Sequence, residues 1–152
     1  MSSNRERAGA VTDRPSSNAE RVRRFHEAIG ESPPRAPSYP SPELLALRRK
    51  LIEEENAEVM EALSRLAEAS AAELEDRFTQ VAHELVDLLY VTYGALVWFG
   101  IDADEVFDEV HRANMRKTDG PKRADGKQLK PPGWRPADVA AVIERGRRQK
   151  GD

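Results

Sequence analysis

The sequence predicts an all-α fold, and three observations support this fold class. Apolar residues recur every three or four positions over long stretches of the 152-residue chain, which is the period of an amphipathic helix. Several of these stretches begin at an N-capping residue followed by an early acid, and two of them end at a glycine. Alternating runs of β-branched residues are missing from the sequence, so nothing in it predicts a strand.

The first three helices are predicted from the signals at their ends. A capping box that starts at Ser17 opens a helix over about 18–29. Ser41, followed by a first-turn proline, opens a long helix that runs to about residue 69. An apolar-periodic run over about 72–99 forms the third helix.

The last two helices flank a long polar loop. A second capping box, at Asp102, opens a helix over about 103–116. The loop over 117–135 is rich in glycine, proline and lysine, and Pro136 is expected to open a last helix that ends near residue 145. Loops of this length inside compact domains are often functional, so the basic loop is a candidate binding element.

Length and composition predict a single soluble domain. Residues 1–16 are polar, Arg-rich and without periodicity, which predicts a disordered arm ahead of an all-α domain over 17–152. The absence of cysteine excludes disulfides and thiolate metal sites. No apolar stretch is long enough for a signal peptide or a membrane span, so we expect a cytoplasmic protein without a membrane partner.

The charges are segregated along the chain. The net charge of −3 comes from 24 basic and 27 acidic residues, but residues 53–61 contain five acids and no base, whereas residues 116–135 contain seven bases and two acids. Such an acidic patch and basic loop can serve one ligand together. No nucleic-acid recognition motif accompanies the basic loop, and the acids would repel a polymer, so nucleic acid is not an expected partner.

Carboxylates cluster on one side of the second and third predicted helices. With about 100° of rotation per residue, four glutamates extend a stripe of leucines on the second helix, namely Glu54, Glu55, Glu58 and Glu61. On the next helix, Glu84 and Asp87 lie beside an apolar stripe. We expect no cation of the same helix on the acidic stripe. Because unpaired buried carboxylates are costly, this group requires bound cations. An all-oxygen ligand set suits hard divalent ions, Mg²⁺ or Mn²⁺.

Three other interpretations remain open. The glutamates could form a solvated helix face, which is the common role of a glutamate run. A ferritin-like di-metal bundle needs ExxH motifs on two helices, and only residues 108–111 come near, with aspartate in place of the glutamate. A non-catalytic helical interaction module would have neither metal affinity nor turnover.

Two segments carry a resemblance to a known family. Glu55-x-x-Glu58 followed by Glu84-x-x-Asp87, with the preceding acid Glu54, resembles the ExxE…ExxD signature of the MazG-like all-α nucleoside triphosphate pyrophosphatases. That group is related to the dimeric dUTPases and to phosphoribosyl-ATP pyrophosphatase. The stretch GIDADEVFDEVHRANMRKTDGPKRADGKQLKPPGW also resembles the MazG-like proteins, most closely the Deinococcus-type dUTP diphosphatase branch.

The resemblance implies a reaction and a set of site residues. The fold would be a MazG-like bundle with two long antiparallel acidic helices, and the reaction would be hydrolysis between the α and β phosphates of a nucleoside triphosphate, with dUTP the favoured substrate. By resemblance, the metal ligands for Mg²⁺ are Glu55, Glu58, Glu84 and Asp87, and Glu54 orients or deprotonates the attacking water. Asn114 and Lys117 would bind substrate.

Two further expectations come from the residues themselves. From their charge, Lys122, Arg123 and Lys130 are expected to approach phosphate oxygens. Both central helices carry two apolar stripes, and a chain with so few other helices cannot cover them all. We therefore expect a homodimer or a higher oligomer.

Overall fold

The computed structural model describes residues 16–149, and five helices form its framework. They are α1 (Asn18–Ala28), α2 (Pro42–Ala67), α3 (Leu74–Trp98), α4 (Ala103–Met115) and α5 (Val139–Gln149). Within these residues there is no strand, and the one β-bridge joins Lys122 to Gln128 in the basic loop. The predicted all-α fold is confirmed. The predicted arm lies outside the described residues except for Ser16.

Side-chain caps begin α1, α2 and α4 where the sequence predicts them. The hydroxyl of Ser17 accepts a hydrogen bond from the amide of Glu20, and that of Ser41 accepts one from the amide of Leu44, both at 3.2 Å. The carboxylate of Asp102 accepts from two amides in the first turn of α4, at 3.1 and 3.0 Å. Such caps satisfy amides that the helix itself leaves without partners.

The last helix differs from its prediction at both ends. It begins at Val139 and continues to Gln149, whereas Pro136 was expected to open it. The reason is Asp138, whose carboxylate accepts from the amide of Ala141 at 3.0 Å and so acts as the N-cap. The amide of Asp138 donates to a carboxylate oxygen of Glu109 at 3.0 Å, which joins the start of α5 to α4.

The helices α2 and α3 form a long antiparallel hairpin that makes up most of the core. Small buried side chains line their contact, among them Val59, Ala62, Val81 and Ala95. α1 packs on α3, and α4 packs on α5 and meets the end of α3. No single helix among residues 16–149 is long and apolar enough to cross a membrane; α3 and α4 pass that test of length and composition only as a pair bent by 112°.

A glycine makes the bend between α3 and α4. Gly100 has φ of +66°, a conformation that side chains with a Cβ rarely adopt. A Cβ built at this position would lie 2.0 Å from the carbonyl oxygen of Ala36, which belongs to the proline-rich connector between α1 and α2, residues 29–41. The turn and the passage of the connector over it therefore both depend on the missing side chain.

Large apolar side chains remain exposed on several helices, and those of α3 and α4 include two sets that each share one side of the helix. On α3, Phe78 is 64% exposed, and Leu85 and Leu89 lie on the same side of the helix. On α4, Phe107 is 66% exposed and shares its side with Val110. No other part of the described chain, residues 16–149, covers these side chains.

Candidate active site

Three glutamates on the α2–α3 hairpin converge on one point. Glu55 and Glu58 lie one turn apart on α2, Glu84 faces them from α3, and one carboxylate oxygen from each lies within 4.8 Å of the others. Glu55 and Glu84 are half-buried and Glu58 is exposed. Ligand oxygens on opposite sides of a hard divalent cation are about 4–5 Å apart, so the spacing and the donor type fit such an ion.

The charges in this group repel one another. Desolvation raises the pKa of Glu55 above its usual range, and the neighbouring carboxylates of Glu58, Asp87, Glu84 and Glu54 raise it further. A bound divalent cation would reverse this effect because it favours the ionised form. A cavity of about 190 Å³ opens beside Glu58 and Glu84.

The other two predicted acids lie outside this group of three. The carboxylate of Asp87 is 3.1 Å from Nε2 of His83, one turn earlier on α3. Glu54 is exposed, and its Oε1 is 3.5 Å from Nζ of Lys50. Asp87 nevertheless lies close enough to Glu55 to raise its pKa.

The expectation that the acidic stripe has no cation of its own helix is wrong. Lys50 lies one turn before Glu54, and Arg65 forms an ion pair with Glu61 one turn before it. Residues four positions apart are neighbours on a helix surface, so the sequence itself indicates that Lys50 lies beside Glu54 and Arg65 beside Glu61. Both pairs are exposed, and neither cation forms an ion pair with Glu55, Glu58 or Glu84.

Three of the predicted substrate-binding residues gather around one tryptophan. The ammonium of Lys117 donates to the side-chain oxygen of Asn114 at 2.6 Å. The ring of Trp134 lies 5.3 Å from Nζ of Lys117 and 4.3 Å from Nζ of Lys130. The indole donates to the carbonyl oxygen of Ala113 at 2.7 Å, which anchors the loop on α4. These residues form one basic cluster at the carboxyl end of α4.

The other two predicted residues are not part of that cluster. Arg123 pairs with Asp125 within the loop, through Nε at 2.9 Å and Nη2 at 2.5 Å. This pairing raises the pKa of Arg123 and lowers that of Asp125. Lys122 is exposed on the bridge to Gln128. The side-chain amide of Gln128 donates to the carbonyl oxygens of Lys117 and Gly120, at 2.7 and 2.5 Å. The sequence does not indicate this role.

Sequence reasoning also missed a buried arginine on α2. Arg48 is 6% exposed and lies two turns before Glu55 on the side of the helix that faces α3. The seven-residue spacing places Arg48 on the same face of α2 as Glu55, but it does not show which residues of α3 bury the guanidinium.

A comparison with protein families decides which group the chain belongs to. Residues 22–114, more than half of the chain, match the family model described as phosphoribosyl-ATP pyrophosphohydrolase. The chain belongs to this family. The matched segment starts inside α1, ends inside α4 and includes all five acids together with Asn114, whereas the basic loop lies beyond it. No curated protein matches the chain significantly.

Family membership establishes the coarser part of the functional prediction. It supports the MazG-like relation and a nucleotide pyrophosphohydrolase activity. Hydrolases of this kind commonly use divalent metals, and the chain has an acidic group that fits one. That group contains only glutamates, while His111 of the ExxH-like segment is exposed on α4, so the described residues give no support to a ferritin-like site.

Proposed function

We propose that this protein is a Mg²⁺-dependent nucleoside triphosphate pyrophosphohydrolase of the dUTP diphosphatase type. The observation that carries the proposal is the group of Glu55, Glu58 and Glu84, which has the spacing of a divalent cation site in a chain of a pyrophosphohydrolase family. The dUTP preference rests on the resemblance of the acidic motifs and of the segment over 100–134 to the Deinococcus-type branch.

Each acid has a distinct role in the proposed reaction. Glu55, Glu58 and Glu84 would hold Mg²⁺, and Asp87, whose carboxylate is 3.1 Å from Nε2 of His83, would be the fourth ligand. Bound Mg²⁺ supplies neutralisation of the phosphate charges and Lewis acidity toward water. Glu54 orients the attacking water and accepts its proton, because it lies one turn from Glu58 without belonging to the converging three.

We assign substrate binding to the basic cluster, which consists of Asn114, Lys117, Lys130 and Trp134. Its ammonium groups suit phosphate oxygens, and Asn114 suits a sugar or base. Among residues 16–149, the hydrogen bonds and ion pairs of the loop stay within the loop and α4, and none reaches α2 or the acidic part of α3. We therefore propose that the basic cluster serves the acidic group of a second copy of the chain.

The exposed apolar side chains support a homodimer. Phe107 and Val110 share one side of α4 with Asn114. A partner chain that covers this side of α4 would therefore also contact Asn114. The stripe of Phe78, Leu85 and Leu89 on α3 provides a matching apolar surface. A two-fold dimer through these surfaces buries both stripes at once.

Phe78→Glu is expected to yield a folded monomer with little pyrophosphohydrolase activity. Since Phe78 is already 64% exposed, the substitution costs the protomer little, whereas a buried carboxylate is costly in a dimer interface. Light scattering measures the mass and so distinguishes a monomer from a dimer. Thr79→Glu is the control, because it adds the same charge at the neighbouring exposed position. A wild-type monomer with full activity would exclude the shared site.

The first products of hydrolysis are expected to be a nucleoside monophosphate and pyrophosphate. A screen of canonical and modified nucleoside triphosphates with Mg²⁺, with phosphoribosyl-ATP included because the family carries its name, would measure pyrophosphate release. We expect dUTP to react fastest. Orthophosphate as the first product would refute the reaction class, and faster turnover of phosphoribosyl-ATP would refute the dUTP preference alone.

A further inference from the structure

A buried polar cluster lies at the amino-terminal half of α2, outside the proposed active site. We call it the Arg48 cluster; it consists of Arg48, His26, Glu31 and Trp98. Arg48 is 6% exposed, and its guanidinium lies 5.5 Å from the centre of the Trp98 ring. Within residues 16–149, Nε of Arg48 has no hydrogen-bond partner. Burial lowers the pKa of this arginine, and the charge of Glu31 opposes that effect.

Three helices and the connector meet at this cluster. His26 of α1 is 7% exposed, and its Nδ1 lies 2.5 Å from a carboxylate oxygen of Glu31 and 3.3 Å from the indole nitrogen of Trp98. On α3, Gly94 leaves the space that the cluster occupies. A Cβ at that position would lie 3.3 Å from Nη1 of Arg48 and 3.6 Å from Nε2 of His26.

Stability does not explain these choices of residue. A buried guanidinium with an unpaired N–H is unfavourable, and apolar residues of similar volume are often as stable as a buried ionic group or more so. Glycine in the middle of a helix is less favourable than alanine. Two unfavourable residues, Arg48 and Gly94, thus face each other across the same helix contact.

The location of the cluster suggests what it does. Arg48 lies seven residues before Glu55 on α2, and Gly94 lies seven residues after Asp87 on the antiparallel α3. Seven residues are about 10.5 Å along a helix, so the cluster and the acidic group lie two turns apart on one contact between α2 and α3. A shift of one helix along the other at the cluster would move the glutamates by the same amount.

We propose that Arg48 is a positioning residue for the metal site. This role rests on the function proposed above. Arg48 fixes the register of α2 against α3, so that Glu55 and Glu58 face Glu84 at the spacing of metal ligands. A planar guanidinium held between an indole ring, His26 and the Gly94 backbone fits one register, whereas an aliphatic side chain can pack in several. Buried polar groups are known to specify register in this way.

Arg48→Met should weaken Mn²⁺ binding about 10- to 100-fold, the range seen when residues behind metal ligands are changed. The melting temperature of the metal-free protein should stay the same or rise, because the buried charge is gone. Arg48→Lys keeps the cation and should bind Mn²⁺ more tightly than Arg48→Met. Arg49→Met is the matched control, since Arg49 is exposed and pairs with Glu53 at 2.7 Å. Free Mn²⁺ is measured by electron paramagnetic resonance.

A second variant keeps the test decisive if Arg48→Met does not fold. Gly94→Ala adds a methyl group against the guanidinium of Arg48 and should also weaken Mn²⁺ binding while it favours the helix. Wild-type affinity in Arg48→Met, or in Gly94→Ala if the first is unfolded, would overturn the positioning role. A wild-type protein that binds no Mn²⁺ would overturn the proposed metal site and, with it, this inference.

Discussion

Glu84→Gln is expected to abolish Mn²⁺ binding and turnover while leaving the helical fold intact. It removes the one ligand that α3 contributes to the converging three, and a neutral amide oxygen does not compensate the charge of a divalent cation. In the metal-free protein the same substitution removes one of the charges that raise the pKa of Glu55. A folded protein in which the pKa of an acid is raised loses stability as the pH rises through that pKa. Because the variant relieves this effect, it should melt at a higher temperature than the wild type at neutral pH.

Calorimetric titration with Mn²⁺ and circular dichroism of the metal-free protein test this result. Glu75→Gln is the control, because Glu75 is an exposed glutamate in the first turn of the same helix. Loss of helicity together with activity in Glu84→Gln would point to a structural role for the acid. Unchanged Mn²⁺ affinity would remove Glu84 from the ligand set.

Glu54→Gln is expected to lower kcat by about 10²- to 10⁴-fold, the usual scale for a positioned general base. Its Mn²⁺ affinity should stay near that of wild type, because Glu54 lies outside the converging three. Glu55→Gln should weaken metal binding as well as turnover. Single-turnover rates and Mn²⁺ titrations of both variants would separate the two roles.

The ion pair between Glu54 and Lys50 provides a control for this assignment. Both side chains are exposed, and pairs of this kind contribute little to stability. Lys50→Met should therefore have nearly wild-type kcat if Glu54 acts on water. The assignment of a base would be wrong if Lys50→Met slowed the reaction as much as Glu54→Gln, or if Glu54→Gln lost the metal.

Features that depend on local sequence could be predicted, and they include the acids themselves. The caps at Ser17, Ser41 and Asp102 act within one turn, so the starts of three helices follow from the sequence. Glu55 and Glu58 share a helix face by spacing alone. Their approach to Glu84 could be anticipated because a short connection makes neighbouring long helices antiparallel.

Features that depend on the packing of distant segments could not be predicted. The burial of Arg48 requires Gly94 and Trp98 on another helix, and no local pattern marks those residues as its neighbours. The cap at Asp138 depends in part on Glu109 in α4, which accepts from its amide. Charge alone groups Arg123 with the lysines that are expected to approach phosphate, although its partner is Asp125, two residues away.

The bend at Gly100 has a consequence for the mutational tolerance of this chain. A substitution there meets two obstacles at once, a positive φ and the carbonyl of Ala36, so no side chain can be accommodated without displacing the connector. Gly126 and Gly133 also have positive φ, but a Cβ at either would face open space, and asparagine adopts this conformation with less strain than other side chains. Gly120 of the same loop is different, because a Cβ there would lie 2.1 Å from the carbonyl oxygen of Leu129. Protein engineers can thus vary parts of the basic loop, which contains candidate substrate-binding residues, whereas positions 100 and 120 have to remain glycine.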